Sequence, residues 1–193
     1  MKIFFDTEFT GLHKDTTLIS IGMVDEGGRC FYGEFTDYDE SQVSVWIEEN
    51  VLSNLMLKDR GMMERLKNAF KDGGYDVTMV RGGRAVVFSE LKHWLDKYDE
   101  IQFVSDVCHY DFVLLIDLFG TAFDLPNNIC ASCHDINQDI ASYYGVSEHT
   151  AFDINRDEIV DEPFLSEFVS KHNSLYDALV IRLVYSKVNN YPL

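Results

Sequence analysis

Asp6 and Glu8 form the one Asp-x-Glu pair of the chain, inside Phe4-Phe5-Asp6-Thr7-Glu8-Phe9, an apolar run that reads as a buried strand. Successive side chains of a strand alternate faces, so Asp6 and Glu8 project together while Phe5, Thr7 and Phe9 point the other way. Two carboxylates sharing one edge of a core are costly unless a cation neutralises them, and a hard divalent metal does so with oxygen ligands. Among 33 acidic residues in 193, about one Asp-x-Glu is expected by chance. The aromatic flanks, rather than the spacing, single this pair out; the plain alternative is two solvated carboxylates on an edge strand.

Two more carboxylates stand where such a site could use them: Asp111, at the start of one expected helix, and Asp177, near the start of the last. Three or four converging carboxylates suit two metal ions roughly 3.5 to 4 Å apart, which clamp the attacking and leaving oxygens of phosphoryl transfer. His172 lies five residues before Asp177, outside a helix that Asn173 or Ser174 caps, and its ring could serve as general base. Each residue also has a structural reading. Ser174-x-x-Asp177 is a capping arrangement, and Asp111 complements a helix dipole. His134 and Asp139 repeat the His-x4-Asp spacing, but on one continuous helix five residues turn about 140° and would separate the two side chains. The second copy is therefore preferred.

The elements that must position these groups follow from apolar periodicity. Residues 2 to 6, 17 to 24 and 29 to 35 predict a three-stranded meander, with turn chemistry at Gly11 and at Gly27-Gly28. Ser41 to Leu55 predicts a helix with Val45, Trp46, Leu52 and Leu55 on its apolar face. Residues 56 to 84 are expected to form an inserted basic segment, a helix followed by a mobile loop or hairpin around Gly73-Gly74 and Gly82-Gly83. A helix over Phe88 to Tyr98, a strand over 101 to 105 ended by Asp106, a helix over Tyr110 to Phe119, a short strand over Ile129 to Cys133 and a helix over His134 to Tyr144 follow. The last helix runs from about Ser174 to Val188. Meander first and β-α-β afterwards gives an α/β fold, a mixed sheet flanked by helices, in one domain over 1 to 193.

Composition narrows the functions. With 46% hydrophobic and 13% aromatic residues the chain can bury a sizeable core. No apolar stretch approaches the roughly 18 residues of a membrane span, and charges come too early for a leader, so a cytoplasmic protein without membrane contact is expected. Cys30, Cys108, Cys130 and Cys133 are then reduced thiols. Cys130-Ala131-Ser132-Cys133-His134 matches the haem-attachment string, yet it reads more simply as a core strand entering a helix, and the second half of a zinc site is missing. The formal charge of −17 counts against a long-duplex binder. Residues 58 to 84 nevertheless hold seven basic residues against four acidic ones, a local +3 that leaves −20 for the remainder.

Asp6-Thr7-Glu8-Phe9-Thr10-Gly11, then Asp106-x3-Tyr110-Asp111, then His172-Asn173-Ser174-Leu175-Tyr176-Asp177 resembles the three ordered motifs of the DEDDh 3′→5′ exonucleases, in the ribonuclease-H-like fold. The likeness spans nearly the whole chain and is nearest to the small bacterial exoribonucleases, with ribonuclease T and oligoribonuclease further off. It implies that Asp6, Glu8, Asp111 and Asp177 hold two Mg²⁺ or Mn²⁺ while His172 activates a water. The second motif usually opens with Asn; Asp106 stands there, either orienting the strand end or adding an outer-shell carboxylate. The expected substrate is a single-stranded RNA or short oligonucleotide 3′ end, with DNA exonuclease or a non-catalytic binding module of the same fold as alternatives, and a homodimer is expected by analogy. Thr7, Phe9, Thr10, Leu12 and Tyr110 are the candidates for contact with the terminal nucleotide. Arg81 and Arg84, beside Gly82-Gly83, are the candidates for guiding the phosphate backbone, unless they belong to a solvated surface.

Overall fold

The computed structural model describes residues 1–58 and 60–192; Asp59, one of the acids in the basic stretch, lies outside them. Strands β1 (Lys2–Phe9), β2 (Leu18–Asp25), β3 (Arg29–Phe35), β4 (Asp76–Gly82), β5 (Ile101–Ser105) and β6 (Ile129–Asp135) form one sheet in the order β4-β3-β2-β1-β5-β6. The β1-β2-β3 meander is antiparallel, whereas β5 runs parallel to β1, β6 to β5 and β4 to β3. Helices α1 (Val45–Asn50), α2 (Arg60–Asp72), α3 (Arg84–Leu95), α4 (His109–Phe119), α5 (Ile136–Tyr144), α6 (Glu148–Asp153) and α7 (Ser174–Asn189) accompany it. This mixed sheet, opening on a meander and flanked by helices, is the α/β architecture expected and is consistent with a ribonuclease-H-like arrangement.

Strand alternation divides the core. Phe4, Val24, Tyr32 and Val104 meet α7 through Leu175, Leu179 and Val184, while Ile3, Phe5, Met23, Phe31 and Phe103 meet α3 and α4 through Leu91, Trp94 and Leu115. Each fully covered Phe or Leu contributes about 1.5–3 kcal/mol relative to an exposed one, which fixes the strand register because a one-residue slip would invert both faces. No helix among the described residues is long and apolar enough to cross a membrane, and all four cysteines are free thiols.

Three local expectations differ from what folds, and one helix goes unread. The helix over 41–55 is broken: a 3-10 turn at Glu40–Gln42, then α1, then a second 3-10 turn at Leu52–Asn54. Ser44 caps α1, its hydroxyl accepting from the Ile47 N–H at 3.3 Å, and Val45 and Trp46 face solvent instead of the core. After α2 the chain forms no mobile loop or hairpin, because Val77-Thr78-Met79-Val80 enters the sheet edge as β4, in continuous register with β3. His134 and Asp135 belong to β6, paired with Val104 and Ser105, so α5 begins only at Ile136. Finally, α6 carries too short an apolar pattern, Ala151 alone being buried, to be read from periodicity.

Candidate active site

Asp6 and Glu8 occupy the C-terminal half of the central strand, on the face that meets α7. α7 approaches closely there because Gly22, paired with Asp6 across β1 and β2, has no side chain: a Cβ at this position would lie 2.3 Å from the backbone at Ser174 and Leu175. Asn173 caps the helix, its side-chain oxygen accepting from the N–H groups of Leu175 and Tyr176 at 3.2 Å. Its amide in turn donates to the Tyr32 hydroxyl at 3.1 Å and to the Asn54 carbonyl at 2.9 Å. The result places Asp177 over the strand: Asp6, Glu8 and Asp177 each offer an oxygen within 4.8 Å of the others.

Asp111 comes from the opposite side, on the first turn of α4, and its Oδ1 accepts from the Thr7 N–H at 3.0 Å and the Thr7 hydroxyl at 2.6 Å. Thr7 therefore serves as a tether between β1 and α4, on the strand face opposite Asp6 and Glu8. The trio's oxygens do not include one from Asp111.

Electrostatics mark this cluster as one that wants a cation. Burial first, then Asp111, Asp177 and Glu8, raise the Asp6 carboxyl well above its ordinary value. Burial followed by Asp177 and Asp111 pushes Glu8 up to about 9, and burial lifts Asp177 to about 7. Burial lifts Asp111 to about 6 against the lowering effect of the Thr7 hydrogen bonds. A divalent ion with oxygen ligands reverses that penalty, and an all-carboxylate donor set fits a hard divalent cation.

His172 flanks the trio with a left-handed backbone, φ +68°, its N–H donating to Asp177 Oδ2 at 2.9 Å. The ring lies edge-on to Trp46, centroids 4.9 Å apart, and neither ring nitrogen has a hydrogen-bond partner among the described residues. Burial, then the charge of Lys171, lowers its pKa below the ordinary imidazole value, so the ring is a neutral acceptor near pH 7. His134 is engaged elsewhere: its Nε2 meets Asp139 Oδ2 at 2.5 Å, from strand to helix, and its ring lies edge-on to Tyr185. The one-helix argument for separating His134 from Asp139 is thus overturned, since the pair straddles the β6–α5 junction and its side chains meet.

Asp6, Glu8, Asp111, His172 and Asp177 line a cleft of about 1120 Å³. Leu12 reaches it with 77% of its surface exposed, and Phe9 stacks on Tyr110 at 5.5 Å. Thr10 does not line the cleft; it is buried among Thr16, Thr17 and Gln42, where it braces the loop after β1. Arg81 and Arg84 do not line it either. Arg81 pairs with the buried Glu34 at 3.4 Å at the β4 edge, and Arg84 pairs with Asp117 at 2.9 Å. The basic stretch spends these two guanidinium groups on intramolecular partners. Asp106 is held by Arg156 at 2.7 Å. Among the cleft residues that sequence reasoning missed are Trp46, placed on the apolar face of a helix; Phe152, on the unread α6; and Lys171 and Arg156, isolated basic residues with no pattern to flag them.

No family model matches the chain. Over 140 residues, 72% of this chain and 73% of the relative, it is 27% identical to 3′-5′ exoribonuclease Rv2179c of Mycobacterium tuberculosis (strain ATCC 25618 / H37Rv). The same figures hold for 3′-5′ exoribonuclease MT2234.1 of Mycobacterium tuberculosis (strain CDC 1551 / Oshkosh).

Proposed function

We propose that the chain is a metal-dependent 3′→5′ exonuclease that hydrolyses the terminal phosphodiester of single-stranded RNA and releases nucleoside 5′-monophosphates. The observation that carries this reading is the convergence of Asp6, Glu8 and Asp177 within 4.8 Å on the floor of a cleft, beside a histidine with an unused ring, in a chain similar to exoribonucleases. Asp6, Glu8 and Asp177 would hold one divalent ion and Asp6 with Asp111 a second. When bound, such ions supply positive charge to the attacked phosphate and to the oxygen that leaves.

The chain's own residues do the rest. His172 takes the proton of the attacking water, which its lowered pKa leaves it free to do near neutrality. The Thr7 hydrogen bonds fix Asp111, and the Asn173 cap fixes the first turn that bears Asp177. Leu12, the Phe9–Tyr110 stack and Trp46 offer apolar and aromatic surface to unstacked bases, a sequence-tolerant contact. Lys171, exposed on the cleft wall with no hydrogen bond or ion pair on its ammonium among the described residues, is the cation assigned to the phosphates of the incoming strand.

The test is digestion of 5′-labelled RNA and DNA oligomers with Mg²⁺ or Mn²⁺ and with EDTA. A ladder of shortened 5′-labelled RNA products that disappears in EDTA is expected. Preferential shortening of DNA would transfer the activity to that polymer, and intact oligomers of both kinds would leave only a binding module.

A further inference from the structure

We infer that Arg156 is a positioning residue of this cleft: its guanidinium offsets part of the Asp106 charge beside the neighbouring acids and so sets how much negative charge remains to hold divalent ions. The inference rests on the metal-site reading above. Asp106 directly follows β5, and two parallel bonds join it to Arg156, Nε to Oδ2 at 2.7 Å and Nη2 to Oδ1 at 2.8 Å. The remaining donors are spent as well: Nη2 on the Asn137 side-chain oxygen at 2.7 Å, and Nη1 on the carbonyls of Ala151 at 3.0 Å and Ile154 at 2.5 Å. Asn137 completes the enclosure by donating its amide to Asp106 Oδ1 at 2.8 Å.

A guanidinium with all five N–H groups engaged is not available as a phosphate hook; it is a structural counter-ion. Side-chain exposures of 15% for Arg156 and 22% for Asp106 put the fork largely out of water, where bidentate pairing is strong. The charge of Asp106 is felt by Asp6, Asp111 and Asp177, so a free carboxylate there would be a fifth acid competing for the same ions. Through Ala151 and Ile154 the same guanidinium holds the C-terminal end of α6, the helix that brings Phe152 to the cleft wall. Charge and wall are thus fixed by one side chain.

The two roles separate in Mn²⁺ titration calorimetry on the full chain, with circular dichroism to confirm folding. Arg156→Gln, which frees Asp106, should bind Mn²⁺ roughly three- to tenfold more tightly or take up an additional ion, because one more uncompensated charge lies beside the trio. Asp106→Asn, which leaves the guanidinium unpaired, should weaken Mn²⁺ binding by a similar factor. The double variant should return to within about twofold of wild type, and Arg156→Lys, which keeps the charge without the fork, should stay near it. If Arg156→Gln fails to fold, Asp106→Asn carries the test. Wild-type binding with an unchanged Asp106→Asn isotherm, or a double variant that keeps the Arg156→Gln isotherm, makes Arg156 only a strut for α6 and overturns the inference alone. A wild-type chain that takes up no Mn²⁺ overturns both this inference and the metal-site reading.

Discussion

At the scale of single residues the trio is a device under repulsion until a cation arrives. In metal-free protein the folded-state pKa values of Asp6, Glu8, Asp111 and Asp177 lie above those of the unfolded chain, so the folded state binds more protons in the intervening range. Their contribution to stability is full below the ordinary carboxylate range and is lost as pH rises through about 6 to 9. Thermal melts in EDTA should therefore fall between about pH 5 and pH 9. Asp177→Asn should flatten that decline and raise the alkaline midpoint by on the order of 5 °C. Superimposable wild-type and Asp177→Asn profiles would remove the strain argument. For the histidines, His172→Ala should lose on the order of 10² to 10⁴ in kcat. His134→Ala should keep kcat and lose stability, because it breaks the bond to Asp139. The rate should rise with pH through a value below the ordinary imidazole pKa. Lys171→Ala should move that inflection upward, since the ammonium helps to depress it. The residue types at these positions were legible because paired acids on an aromatic strand are chemically conspicuous. Partners were not: that Asp106 meets Arg156, 50 residues on, depends on how the chain returns over α5.

At the scale of elements, what matters is how near α7 can come to β1 and β2. Gly22→Ala forces a Cβ into the backbone at Ser174 and Leu175, so the helix start must retreat and carry Asp177 away from Asp6. The expected outcome is a loss of stability of roughly 1–3 kcal/mol, the usual cost of overpacking, with a larger proportional loss of activity than of folded protein. An active, crystallisable Gly22→Ala variant with Asp177 in place would show that the close approach is incidental. Long periodic elements, β1 to β3, α3, α4 and α7, were readable because alternation and helical spacing are set by burial on one face. Short elements escaped. α1 is a six-residue helix whose Trp46 serves the cleft, and β4 was obscured because its flanking glycines read as a loop although Val77 to Val80 fit a pleated edge.

At the scale of the whole molecule, the proposed function asks a chain of −17 to admit a polyanion. The basic stretch at 58 to 84 does not bring Arg81 or Arg84 to the cleft, which leaves Lys171 as the free cation on its wall among the described residues. Lys171→Ala should raise KM for a short oligomer several-fold and flatten the salt dependence of binding by roughly one unit of log-log slope. Arg81→Ala with Arg84→Ala should change stability and leave KM and slope unaltered. The reverse pattern, measured side by side, would restore the β4 edge as the guiding surface. Net charge and local clusters were visible from composition; which cations remained unspent was not, because that depends on which acids the fold sets opposite them.

The trio joins the first strand of the chain to its last helix: Asp6 and Glu8 precede Asp177 by about 170 residues, and α7 is packed directly on β1 and β2. During synthesis the meander, β4 and β5 can emerge and pair while the acids of β1 still face an open surface, since the third carboxylate and His172 arrive with the last helix. A chain that has not yet made α7 accordingly carries two acids of the trio and no site. The trio is completed only by α7, in the same docking step that closes the core.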